Sequence, residues 1–152
     1  MSFSWEPFGR ARDAGPSGSG APSPEQPAAA PAAALPPQQP EPRRRLAIIT
    51  CMDARIDPLA VLGLSLGDAN VIRNAGATVS DDVLRSLGAA VERLGVVRAI
   101  VMGHTDCAGH DSDAAAAAAV EDGARRLRSH MPDSFAVDAF MYDVSTGTLN
   151  PL

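Results

Sequence analysis

No stretch of this 152-residue chain approaches the roughly 20 consecutive apolar residues of a membrane-spanning helix, which excludes a span of that kind. Positive charge is scarce as well. The formal net charge is −5, and residues 46–152 carry eight Arg against fourteen acidic residues. An acidic surface repels a phosphate backbone and argues against a nucleic-acid partner. The one basic cluster, Arg43-Arg44-Arg45, is followed by Leu46–Ile49, an apolar run too short for the h-region of a signal peptide. It reads as a solvated junction between tail and domain. Cysteine is limited to Cys51 and Cys107. The expected compartment is the cytoplasm, where thiols stay reduced and two cysteines serve as ligands sooner than as a disulfide. No internal repeat is visible.

Residues 1–45 hold ten of the thirteen prolines and almost no aliphatic side chains beyond Leu35. Such a segment buries too little apolar surface to offset the entropy of ordering it, so a disordered tail is expected over 1–45. Residues 46–152 leave 107 positions, enough for one small domain with its own core.

Within that domain, Leu46-Ala47-Ile48-Ile49-Thr50 is a continuous apolar run, the pattern of a strand buried on both faces. Asp57-Pro58 opens a brief helix expected through Leu64. Ala69–Arg73 reads as a second strand ending at the turn signal Asn74-Ala75-Gly76. Ser80 or Asp81 caps a helix with apolar residues at Val83, Leu84, Leu87, Val91 and Leu94, and Gly95 ends it. Val96–Met102 is a third buried strand, closed by Gly103. A helix with an Ala-rich face is expected over Asp113–His130, packed thinly or against something close. Ala136–Val144 makes a fourth strand, and Ser145-Thr146-Gly147 turns the chain before Thr148-Leu149. Strands alternating with helices imply an α/β fold, a mostly parallel sheet flanked by helices. In such sheets ligands collect beyond the carboxyl ends of the strands.

Two short clusters stand at those ends. Cys51-Met52-Asp53-Ala54-Arg55 follows the first strand, and His104-Thr105-Asp106-Cys107 follows the third. They offer two thiolates and an imidazole, the ligand types of tetrahedral zinc, beside a carboxylate and a guanidinium. If the first and third strands are neighbours, Cys51, His104 and Cys107 meet in one crevice. Among the remaining polar residues, Asp106 is either an outer partner of the ligands or exposed. His110 and His130 read as solvated side chains, although a surface histidine can also shuttle protons. Asp68 and Arg73 pair or cap, with no catalytic role.

With these clusters, Gly67-Asp68-Ala69-Asn70-Val71-Ile72-Arg73-Asn74-Ala75-Gly76 and the closing Phe140-Met141-Tyr142-Asp143-Val144-Ser145-Thr146-Gly147, the chain resembles a β-class carbonic anhydrase. The resemblance implies Zn²⁺ held by Cys51, His104 and Cys107, with water or Asp53 in the fourth position. Asp53 would ligate the metal in a resting form only, and pairing with Arg55 would draw it away. The implied reaction is the attack of zinc-bound hydroxide on carbon dioxide, giving bicarbonate and a proton, with Asp53 and Arg55 as the catalytic pair. A homodimer is implied too, because the family builds part of its substrate pocket from a second subunit. Two other readings keep the same centre: hydrolysis of carbonyl sulfide or carbon disulfide, and a non-catalytic zinc domain. A Cys51–Cys107 disulfide or two buried free thiols is the plain structural alternative. Ala108 stands where the family has Gly; were that position left-handed, Ala would cost about 1 kcal/mol or more.

Overall fold

The computed structural model describes residues 39–152, so the tail expected over 1–45 lies almost wholly outside the described residues. Hydrogen-bonded structure nevertheless begins ahead of Leu46. The amides of Arg43 and Arg44 donate to Gly67 O and Asp68 O, and the Arg43 guanidinium pairs with Asp68 at 2.8 Å. Part of the basic cluster is therefore tied to the domain. Asp68 is engaged by Arg43 and does not pair with Arg73.

Five strands form one sheet in the order β2-β1-β3-β4-β5. They are β1 (Leu46–Cys51), β2 (Ala69–Asn74), β3 (Arg98–His104), β4 (Ala136–Asp143) and β5 (Thr148–Pro151). The first four run parallel, and β5 returns antiparallel beside β4 with Tyr142 opposite Leu149. The α/β, mostly parallel expectation holds. Flanked by β2 and β3, β1 is buried along its whole length, which is why its sequence shows no alternation. Its Ala47 and Ile49 face one core with Leu87, Val101, Val120 and Leu127; Leu46 and Ile48 face a second with Ile56, Ile100 and Met102.

Three helices connect the strands: α1 (Pro58–Val61), α2 (Asp81–Leu94) and α3 (Asp113–His130). In α2 the Ser80 hydroxyl caps Val83 N–H, and Gly95 leaves the helix at φ 67, the left-handed C-terminal stop. α1 ends sooner than expected, and Gly63 at φ 64 then turns the chain. β3 starts two residues later than expected and runs through Gly103 to His104, so the histidine is the last residue of a strand.

The thin Ala face of α3 resolves into close packing. A Cβ built on Gly103 would lie 2.5 Å from Val120 Cγ2 and 2.9 Å from Met141 Sδ, and one on Gly123 would lie 2.8 Å from Val79 Cγ2. Small residues on both sides bring helix and sheet together. Gly103→Ala should therefore overpack this contact and cost about 1–3 kcal/mol, read as a lower urea midpoint with an unchanged slope. A midpoint equal to the parent's would show that the helix yields without cost.

Candidate metal centre

The parallel register of β1 on β3 aligns Thr50 with Met102, so both strands end at the same edge. Cys51 closes β1, His104 closes β3, and Cys107 follows on the loop. Their donor atoms all lie within 4.8 Å of one another. All three residues are buried, His104 completely. His104 Nδ1 is 2.8 Å from the Thr105 carbonyl, so it carries the proton and leaves Nε2 with a bare lone pair. That Nε2 is buried and has no hydrogen-bond partner. Thr105 is fixed in turn, its amide donating to Tyr142 O and its hydroxyl accepting from Val144 N–H.

The two thiols are free, with sulfurs 3.8 Å apart. A disulfide needs about 2.05 Å. Two sulfurs each about 2.3 Å from one tetrahedral ion would be separated by about 3.8 Å. An orphaned imidazole nitrogen beside two sulfurs at that spacing fits a thiophilic metal, and the disulfide alternative does not describe this state. Burial pushes the Cys51 thiol up, but the polar groups around it, the Gly76 and Asp53 amides among them, outweigh it and bring it down to about 7. Cys107 moves the other way, raised by its own burial and then by Cys51.

Asp53 stands beside the donors, its Oδ2 3.9 Å from His104 Nε2. Arg55 holds it from both sides: Nε donates to Oδ1 at 3.0 Å, Nη2 to Oδ2 at 2.8 Å, and the Arg55 amide to Oδ1 at 2.9 Å. These bonds keep the carboxyl far below the usual carboxylate range. Arg55 also reaches the other loop, giving Nη1 to Asp106 Oδ2 at 2.8 Å and Nη2 to Asp106 O at 2.9 Å. Asp106 is thus both exposed and a partner, held through Arg55 and away from the donors.

Arg73, expected to pair or cap and given no catalytic role by the sequence, donates to the Cys51 carbonyl at 2.9 Å and the Asp53 carbonyl at 2.7 Å. The available signal was its place opposite Thr50, one step from the ligand strand's end. His110 is half-buried, with Nε2 3.0 Å from Gly76 O. His130 remains exposed on α3. Ala108 does not have a positive φ; the left-handed non-glycine residues nearby are Ala77 and Asp106. Beside Cys51 opens a cavity of about 450 Å³ lined also by Met52, Asp53, Ala54, Ala75, Gly76, Ala108 and Gly109.

A family model for carbonic anhydrase matches residues 46–138. Beta-carbonic anhydrase 1 of Mycobacterium tuberculosis is 37% identical over 134 residues, covering 72% of this chain and 82% of its own length. The chain belongs to the β-class carbonic anhydrases. Carbonic anhydrases are lyases, and the chain is an enzyme of that class. The solved carbonic anhydrase of Streptococcus mutans superposes with a TM-score of 0.66 at 32% identity, covering 73% of this chain and 82% of that one. A carbon disulfide hydrolase of Saccharolobus solfataricus is 45% identical over 64 residues, 42% of this chain and 31% of its own length.

Metal capture by this donor set should depend on pH in two regimes, because thiol ligands bind deprotonated. Above about 7 the Cys51 proton is already gone, and only the raised Cys107 proton is displaced. Affinity should then rise about tenfold per pH unit, and about a hundredfold per unit below 7, where both protons compete. Competition against a chromophoric chelator across that range measures both slopes; a flat profile would remove the thiols from the donor set.

Proposed function

We propose that Cys51, His104 and Cys107 hold Zn²⁺ and that the enzyme hydrates carbon dioxide reversibly to bicarbonate and a proton. The observation that carries this is the orphaned His104 Nε2 within 4.8 Å of two free sulfurs that are themselves 3.8 Å apart. When bound, the metal supplies Lewis acidity toward water, weakened relative to a three-histidine site because two thiolates cancel its charge. The chain's own groups do the rest. Asp53, kept ionised by Arg55, accepts a hydrogen bond from the attacking water and aims its lone pair. Arg55 grips both carboxylate oxygens, an arrangement that a lysine's point charge does not reproduce. While gripped, Asp53 is kept from serving as a fourth ligand; released, it is near enough to do so in a resting form. The apolar wall of Met52, Ala54, Ala75 and Ala108 suits a small nonpolar substrate.

We also propose a homodimer, in which a second copy covers Met52, 66% exposed at the rim of the cavity. Thiol ligands favour the cytoplasm as the compartment. Among the described residues no helix is long and apolar enough to cross a membrane. Hydrolysis of carbon disulfide is the second reading, favoured by the 45% identity over 64 residues to the Saccharolobus solfataricus carbon disulfide hydrolase.

Zinc content and carbon dioxide hydration measured on one sample across pH 7–9 test the proposal. One zinc per chain with activity rising through that range is the expected result. Zinc without hydration would retire the centre to a structural role, and faster turnover of carbon disulfide would select the second reading. Asp53→Ala should keep its zinc and lose roughly 100-fold or more in kcat/KM; full activity in that variant would remove Asp53 from the mechanism. Cys51→Ser should lose the metal, as read by elemental analysis after dialysis.

A further inference from the structure

His110 lies outside the donor set, yet it is tied to that set at both ends. Its backbone N–H donates to the Cys107 carbonyl at 3.1 Å, which roots the ring on the ligand loop. Its Nε2 faces the Gly76 carbonyl at 3.0 Å, so that nitrogen carries the proton and donates. Gly109 makes the approach possible. A Cβ there would lie 3.0 Å from Gly76 N and 3.1 Å from Gly76 Cα. The two loops touch backbone to backbone, and the imidazole bolts them together.

The segment it holds needs holding. Gly76 and Ala77 are consecutive left-handed residues, at φ 70 and φ 55, and Ala pays about 1 kcal/mol or more for that conformation. Asn74 and Thr78 close the turn from within through their own side chains. From another segment, the His110 side chain binds the turn through its Gly76 carbonyl. The Gly76 amide in turn sits against the Cys51 sulfur, and Ala75 and Gly76 form one wall of the cavity.

We propose that His110 is a positioning residue: by fixing the Gly76 carbonyl it keeps the Gly76 amide against the Cys51 sulfur and the Ala75–Gly76 wall of the cavity in place. An N–H directed at a ligand sulfur tunes its donor strength, the part that outer hydrogen bonds play around metal sites generally. This rests on the metal centre proposed above, and it gives His110 no contact with substrate.

The test compares His110→Leu, which fills similar space without a donor, with His110→Gln, which returns an N–H at the reach of Nε2. Both are measured as full-length chains against the parent. In the Leu variant, metal affinity by chelator competition should fall roughly 10-fold, and the thiolate-to-metal charge-transfer band of the cobalt-loaded protein should shift. Gln should restore both. In the metal-free chain, the Gly76 amide resonance should move with Leu and return with Gln. Parent-like affinity and band in the Leu variant, or an unmoved Gly76 resonance, would overturn the assignment. If the parent took up no metal while the Gly76 resonance still followed the donor, the proposed centre would fall and His110 would remain the clamp of the turn.

Discussion

The whole site hangs on the parallel pairing of β1 with β3. Ile48, Ile49, Val101 and Met102 are buried or nearly so on these two strands, and the Thr50 hydroxyl donates across the pair to the Met102 carbonyl. With Thr50 opposite Met102, Cys51 and His104 emerge at one edge. A slip of one residue would swap the two core faces of a strand and turn every side chain over. Burial on both faces makes such a slip costly, because each face is matched to its own cluster. The donor geometry is therefore underwritten by apolar packing several residues away.

Beyond the strand ends, control passes to guanidinium groups. Residues 52–55 lie outside helix and strand, in a turn closed by Ile56 N–H on the Asp53 carbonyl, and two arginines hold them. Arg73, from the end of β2, binds the Cys51 and Asp53 carbonyls, while Arg55 folds back onto the Asp53 carboxylate and across to Asp106. Arg55 is about half exposed, so each ion pair contributes little stability by itself. What the forks supply is direction. A planar donor pair fixes a carboxylate's orientation as well as its position, and orientation is what a group aimed at water needs.

The features legible in the sequence were those with local causes. Leu46–Thr50 reads as a doubly buried strand because nothing polar interrupts it, and α2 is bracketed by Ser80 and Gly95, whose capping chemistry is independent of the rest of the fold. The donors were legible because the two cysteines of the chain stand at strand ends. Roles set by distant contacts were not. Arg73 acts on a loop 20 residues earlier in the chain, Arg55 reaches Asp106 51 residues on, and His110 meets a carbonyl 34 residues back. None of these pairings leaves a periodicity or a spacing to read. Strain was similarly hidden: left-handed backbone, weighed at Ala108, occurs instead at Asp106 and at Ala77.

The separation of those partners has a consequence for how the molecule comes into being. Thr50 and Met102 are 52 residues apart, and the two sulfurs 56. Pairing β1 with β3 means closing a loop of that size before any of its contacts can reward the closure, a search that slows folding relative to locally connected proteins. On a ribosome, β1 would leave the tunnel as a highly apolar strand well before its second neighbour is synthesised. The most hydrophobic segment of the chain is thus the one that waits longest for a full set of partners, and the crevice is built only when that wait ends.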